Sequence, residues 1–124
     1  MITSNDYSCL VNCMEWLLGV PAEHILKVIG HDGSKAYKET GIAFTTYEIG
    51  HALTFFDVWA THYDFQIGRA DIHTLPWWRL KGILCIDTQH AIAVCNERLW
   101  DGGKIVGVIY DYMEKGVEAL LWTT

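Results

Sequence analysis

The stretch NDYSCLVNCMEWLLGV, residues 5–20, sets the start of the fold and contains the most informative pair of side chains in the chain. Within it, apolar residues recur at the i, i+3, i+4, i+7 spacing of a helix with one buried face. The residues of this stripe are Leu10, Cys13, Met14 and Leu17. Ser8 can cap such a helix, and Gly19 can end it. We therefore predict a helix from Ser8 or Cys9 to Leu18, with its two cysteines one turn apart on one face.

The segment that follows predicts more helical structure. Residues 21–29 begin with a proline and are followed by a glycine, which is typical of a second short helix. Residues 31–41, HDGSKAYKETG, are rich in polar residues and lack a regular apolar period, so we predict a surface loop that continues to about Thr45. Thr45 and Glu48 have the spacing of a capping box, which predicts a third helix ending near residue 57.

Short apolar stretches that resemble β-strands fill the rest of the chain, and turn residues such as Asn96 and the Gly102-Gly103 pair separate them. The stretches are VWATHYDF (58–65), GILCID (82–87), HAIAV (90–94), ERLW (97–100), KIVGVIYDY (104–112) and VEALLW (117–122). We expect the Trp77-Trp78 pair to be core; the alternative is an exposed aromatic patch that binds a peptide or a partner. Helices followed by a run of strands are typical of an α+β fold with an antiparallel sheet. At 124 residues, the chain fits one domain over residues 1–124.

The composition argues against several classes of protein. An apolar fraction of 51%, with six tryptophans, favours a compact globule. The net charge of −6 and the lack of a Lys/Arg run argue against nucleic acid or a membrane surface as a partner. No G-x-G-x-x-G or Walker-type loop indicates a nucleotide site. The N-terminus lacks the pattern of a signal peptide, so we expect a cytoplasmic protein.

Four cysteines could form disulfides, bind a metal or act as a nucleophile; they are Cys9, Cys13, Cys85 and Cys95. In a reducing compartment we expect the thiols to stay reduced. Zinc sites usually use two closely spaced ligand pairs, whereas this chain has only Cys9 with Cys13, so we expect no metal. A metal site built from Cys9, Cys13 and His90 is the alternative. We predict that Cys13, Cys85 and Cys95 are core residues.

Cys9 has the local setting of a nucleophile. A cysteine in the first helical turn lies at the positive end of the helix dipole, which favours the thiolate over the thiol. Acyl transfer also needs a base, and His90 opens a predicted strand directly after the polar segment DTQ. We therefore predict that Cys9 attacks a carbonyl group and that His90 accepts the proton.

The predicted hairpin also supplies an acid that could orient the histidine ring. If residues 96–97 form a two-residue turn, His90 and Asp101 become diagonal neighbours on one face of the sheet. Asp101 would then complete a Cys-His-Asp triad. Asp111 is the alternative acid, in case the later strand is the one that pairs here.

Several of these segments together resemble a known family. NDYSCLVNCMEWLLGVP, HDGS, HAIAV and LWDGGK are similar to small bacterial and phage relatives of the bacteriocin-processing peptidases, in the papain-like cysteine peptidase superfamily. The resemblance implies a papain-like fold, with N-terminal helices packed on an antiparallel sheet. It also implies a cysteine peptidase-like hydrolase without a cofactor, in which Cys9 is the nucleophile, His90 the base and Asp101 the orienting acid. The expected partner is a peptide or protein substrate.

The chain departs from the family pattern at two positions. The family usually has a Gln six residues before the nucleophile as an oxyanion donor, where this chain has Thr3, and Asn5 is the nearest amide. The family usually has a Pro after the orienting Asp, where this chain has Gly102. The alternative function is therefore a catalytically degenerate binding protein of the same fold. Such a protein could be a phage factor that acts on a host partner in the bacterial cytoplasm.

Overall fold

Helices and a six-stranded antiparallel sheet make up the computed structural model, which describes residues 9–40, 42–65, 74–86, 90–102, 104–109 and 117–123. The helices are α1 (Cys9–Leu18), α2 (Ala22–Ile29), α3 (Ser34–Thr40) and α4 (Thr46–Phe55). The strands are β1 (Thr61–Phe65), β2 (Leu80–Ile86), β3 (His90–Cys95), β4 (Arg98–Asp101), β5 (Lys104–Val108) and β6 (Val117–Thr123). A short 3₁₀ helix, Trp77–Arg79, precedes β2. The predicted α+β class and the antiparallel sheet are confirmed.

The first two helices end where the glycines predict. Gly19 has a φ of 68°, and its N–H donates to the Glu15 carbonyl over 2.9 Å. Gly30 has a φ of 96°, and its N–H donates to the Leu26 carbonyl over 2.8 Å. Both residues use the left-handed region that glycine adopts without a steric cost. The buried face of α1 differs slightly from the prediction, because Leu10 is only half-buried and Val11 is fully buried.

The predicted surface loop over residues 31–41 is wrong, because part of it forms α3. The carboxylate of Asp32 accepts the backbone N–H of Ser34 at 3.0 Å and its hydroxyl at 2.6 Å. These hydrogen bonds with the Ser34 side chain and backbone lower the pKa of Asp32. A side-chain acceptor at the start of a helix stabilises its first turn. Local polar contacts, and not an apolar period, therefore define this helix.

The capping box of α4 is confirmed. The Glu48 N–H donates to the Thr45 hydroxyl at 3.1 Å, and the Thr45 N–H donates to the Glu48 carboxylate at 2.9 Å. His31 also contacts the Glu48 carboxylate through Nε2, and its ring stacks on Phe44 with 5.2 Å between the ring centroids. The start of α4 is therefore tied to the chain segment that follows α2.

The strand order of the sheet is β1-β6-β2-β3-β4-β5, and every neighbouring pair is antiparallel. The last strand of the chain, β6, lies between β1 and β2. As a result, β2 and β3 lie at the centre of the sheet, and β6 joins β1 to the other strands. The first strand begins at Thr61 and is shorter than the predicted stretch 58–65.

Both faces of the sheet carry apolar side chains. The face toward the helices contributes Ile83, Ala91, Ala93 and Trp122, which belong to one core with Met14, Ile25, Ile49 and Leu53. The opposite face contributes Leu80, Leu84, Ile92, Val94, Leu99 and Leu121, which pack with Trp77 and Ile109. The prediction for the tryptophan pair is half wrong, because Trp77 is buried whereas 65% of Trp78 is exposed. A 3₁₀ turn directs the two adjacent rings to different sides.

The first prediction concerns Gly82, which lies where β6 approaches β2 closely. A Cβ at this position would lie 2.1 Å from the Leu120 carbonyl oxygen and 2.9 Å from Leu121 Cδ2. Since a backbone atom cannot move aside without breaking the ladder, we expect Gly82→Ala to lower the free energy of unfolding by about 1–3 kcal/mol. Urea denaturation followed by circular dichroism measures this change. Gly50→Ala in α4 is the matched control: a Cβ there meets no atom within 4 Å, and we expect a gain of about 0.5–1 kcal/mol.

The second prediction concerns the contribution of Glu48 to the stability of the fold at low pH. Burial alone would raise the pKa of Glu48, but the hydrogen bonds from Thr45 and His31 outweigh it and hold that pKa below the ordinary 4.5. The carboxylate therefore stabilises the fold fully above pH 4.5, and this contribution is lost as the pH falls through the lower pKa of the folded state. We expect Glu48→Gln to lose less stability than the wild type between pH 5 and pH 3. Urea midpoints across that range, with the exposed Glu39→Gln as control, test this expectation; equal losses in all three proteins would contradict it.

Candidate active site

The start of α1 lies against the start of β3. Cys9 is the first residue of α1 and is half-buried, and its Sγ accepts the backbone N–H of Ala91 at 3.4 Å. The N–H of Ala91 points toward the β4 side of β3. The position opposite Ala91 lies just beyond Asp101, the last residue of β4. The sulfur therefore lies beside the residue that follows His90.

The β3–β4 turn brings His90 and Asp101 together as predicted. The turn residues Asn96 and Glu97 have φ values of 50° and 76°, the pattern of a two-residue type I′ hairpin. Cys95 then pairs with Arg98. Beyond the Ala93–Trp100 end of this ladder, Nε2 of His90 lies 2.7 Å from Oδ2 of Asp101. The prediction that these two side chains are neighbours is confirmed.

The contact between the histidine and the aspartate is open to solvent. The side chains of His90 and Asp101 are each 41% exposed, so a ligand can reach the ring. Because Nε2 of His90 is engaged by Asp101, Nδ1 is the ring nitrogen that remains to exchange a proton with another group. Electrostatic attraction in this exposed pair is screened, and its main effect is to fix the orientation of the ring.

A cleft of about 440 Å³ lies between α1 and the β3–β4 hairpin. One wall comes from α1 and consists of Cys9, Asn12, Cys13, Glu15 and Trp16. The other comes from the hairpin and consists of His90, Ala91, Ala93, Trp100, Asp101 and Gly102. The three predicted triad residues therefore share one cleft. A nucleophilic sulfur, an imidazole and a carboxylate in one concave site can together perform acyl transfer.

The lining residues that were not predicted from the sequence include four with polar or aromatic side chains: Asn12, Glu15, Trp16 and Trp100. The signal for two of them is present in α1, because positions i+3 and i+7 from Cys9 are Asn12 and Trp16. Trp100 packs on Trp16 with 4.5 Å between the ring centroids, and this pairing depends on the tertiary fold. The helical face that starts at Cys9 therefore indicates Asn12 and Trp16 as lining residues of the cleft.

The cysteines differ in their environment. Cys13 is buried as predicted, and burial together with the nearby Cys9 and Cys85 raises the pKa of its thiol far above the ordinary range. Burial followed by the charge of Glu118 raises the pKa of Cys85 to about 12. Cys85 and Cys95 are half-buried, so the prediction that they are core residues is only partly right. All four cysteines lie in described segments, and none forms a disulfide.

Some of the predicted site residues lie outside the residues that the structure describes, namely Thr3, Asn5 and Asp111. Among the described residues, no group of three or more His, Cys, Asp or Glu side chains is arranged to hold a metal ion. Two other histidines pair with glutamates on α4 and β6, His31 with Glu48 and His62 with Glu118. Within the described segments, no helix is both long enough and apolar enough to cross a bilayer.

The third prediction follows from the burial of the thiols. Because only the thiolate reacts with iodoacetamide, the raised pKa values of Cys13 and Cys85 predict slow alkylation of both at pH 8 in the folded protein. We expect both to react at least tenfold more slowly than the same residues in 8 M urea. Mass spectrometry of tryptic peptides at timed intervals measures each rate. Rapid alkylation of Cys13 in the native protein would contradict its placement on the buried face of α1.

Comparison with known proteins gives no match: no family model, no curated protein and no solved structure matches the chain. A function for the chain therefore has to be argued from the geometry of this cleft.

Proposed function

We propose that the protein is a cysteine peptidase-like hydrolase of the papain-like type, which cleaves a peptide, isopeptide or amide bond with the triad Cys9, His90 and Asp101. One observation carries the proposal: Cys9, His90 and Asp101 line one cleft, in which His90 Nε2 lies 2.7 Å from Asp101 Oδ2 and the Cys9 sulfur accepts the N–H of Ala91, the residue after His90. Among the described residues, His90 is the histidine that pairs with an aspartate, and it lines the same cleft as the helix-initiating Cys9.

The proposed reaction proceeds through an acyl-enzyme. His90 takes the thiol proton of Cys9 at Nδ1, and the sulfur attacks the substrate carbonyl. His90 then returns the proton to the leaving amine, so the C–N bond breaks and a thioester forms. A water molecule, deprotonated by His90, hydrolyses the thioester and restores the thiol. Asp101 holds the ring in one orientation throughout.

Two features of the fold support the thiolate of Cys9. The sulfur lies at the N-terminus of a ten-residue helix, where the dipole stabilises negative charge. The Ala91 N–H adds a hydrogen bond to the same sulfur. The positive end of α1 also favours the oxyanion of the tetrahedral intermediate, for which the Cys9 N–H and Asn5 are the proposed donors. No cofactor is needed for this chemistry.

Three features of the architecture support a papain-like enzyme. Helices precede the sheet, the sheet is antiparallel, and the cleft lies between the first helix and a hairpin of the sheet. The rival function is a binding protein that kept this cleft and lost turnover. Thr3, in place of the usual glutamine, is the sequence feature that favours the rival, because loss of one oxyanion donor costs on the order of 10²- to 10³-fold in rate.

The fourth prediction tests the activated nucleophile. At pH 7 we expect iodoacetamide to label Cys9 first, and we expect His90→Ala to slow that labelling at least tenfold, because the base that ionises the thiol is gone. Asp101→Asn should slow it by a smaller factor. His31→Ala is the matched control, since it removes a histidine that also pairs with a carboxylate, that of Glu48. Peptide mass spectrometry measures the rate for each cysteine.

Turnover separates the hydrolase from the binding protein. We expect p-nitrophenyl acetate to acetylate Cys9 and to release nitrophenol over several cycles, whereas a degenerate protein would stop after one equivalent. Slow labelling of Cys9 that His90→Ala leaves unchanged would rule out the hydrolase and favour the binding protein.

A further inference from the structure

We propose that the end of the cleft farthest from Cys9 is a subsite for a lysine or arginine side chain of the substrate, built by Trp16 and Glu15. The inference rests on the proposed function in one respect, namely that this cleft is where a peptide binds. It adds the chemical class of a substrate residue, which neither the triad nor the fold determines.

The position of the subsite follows from the geometry of α1. Trp16 is seven residues after Cys9 and lines the same cleft. At 1.5 Å per residue, the two positions are about 10 Å apart along the helix axis, which an extended peptide spans with about three residues. A side chain bound at Trp16 therefore belongs to a residue within about three positions of the scissile bond.

The indole of Trp16 is held in place and remains accessible. Its ring packs on that of Trp100 with 4.5 Å between the centroids and 33° between the planes. Trp16 is nevertheless 41% exposed. The pair adds an aromatic surface to the lining of the cleft, and such a surface binds either apolar groups or cations.

The charges in the cleft favour a cation. Glu15 and Asp101 contribute two carboxylates, and the described lining residues include no Lys or Arg. Glu15 is fixed in position, because its Oε2 accepts the N–H of Ala22 at 2.6 Å at the start of α2. A cationic group at the Trp16 ring would gain from the indole face and from this adjacent carboxylate. An acidic group would be repelled, and an apolar group would gain from the indole alone.

The test is equilibrium binding of unreactive peptides to the full chain, followed by NMR through the tryptophan indole N–H signals. The peptides are N-acetyl-Ala-Lys-Ala amide and its norleucine and glutamate counterparts, which differ only at the central side chain. We expect the lysine peptide to bind about three- to tenfold more tightly than the norleucine peptide and to shift the Trp16 signal. We expect the glutamate peptide to bind more weakly than either.

Substitutions at Trp16 and Glu15 test whether these residues cause the preference for the lysine peptide. We expect the ratio of lysine to norleucine affinity to fall toward one in Trp16→Leu, which keeps an apolar group, and in Glu15→Gln, which keeps an acceptor for the Ala22 N–H. Trp59→Leu and Glu23→Gln are the matched controls, since both residues are exposed and neither lines the cleft. These two should keep the wild-type ratio.

The outcomes separate this inference from the proposed function. Equal affinity for the lysine and norleucine peptides in the wild type, or an equal ratio in Trp16→Leu, would overturn the subsite whatever the reactivity of Cys9. Selective lysine binding with an unreactive Cys9 would retain the subsite and remove the hydrolase. A ratio that does not decrease between 50 and 500 mM NaCl would rule out the contribution of Glu15, because an exposed ion pair is screened by salt.

Discussion

The contact between the first residue of α1 and the second residue of β3 is the interaction on which the cleft depends. The Ala91 N–H donates to the Cys9 sulfur over 3.4 Å and joins two residues 82 positions apart in the chain. Ala91 and Ala93 are buried beneath α1, and their small side chains let the helix lie close to the sheet. Larger residues there would push the helix outward, because a packed core cannot absorb added volume without a backbone shift. The distance between Cys9 and His90 would then grow with that shift.

The two cysteines of α1, one turn apart, have different environments. The effect of the helix dipole falls off within the first turn, so Cys9 lies within it and Cys13 lies beyond it. Cys13 is also buried, and its pKa is raised by that burial and by the neighbouring thiols. Cys9 is half-buried and lines the cleft, whereas Cys13 belongs to the buried core.

Most element boundaries could be predicted because they depend on local chemistry. The glycines after α1 and α2 and the capping box of α4 specify those helices within a few residues. The position of β6 between β1 and β2 has no local signal, since it results from pairing between distant strands. Helix α3 was missed because Asp32 fixes its start through hydrogen bonds, in a segment without an apolar period. In the site, the His90–Asp101 pair follows from hairpin register, whereas the Trp16–Trp100 contact requires the packed tertiary structure.

The turn at residues 96–97 determines the site as strongly as the helix does. Side chains alternate between the two faces of a strand, so a slip of one residue in the β3–β4 register would move Asp101 to the face away from His90. Two backbone hydrogen bonds hold the turn from both sides: the Asn96 N–H donates to the Leu80 carbonyl at 2.9 Å, and the Ile109 N–H donates to the Glu97 carbonyl at 2.8 Å. Asn96 and Glu97 both have positive φ, which is costly for a glutamate. The two hydrogen bonds help to hold the turn in this conformation, and the register that follows from the turn places Asp101 beside His90.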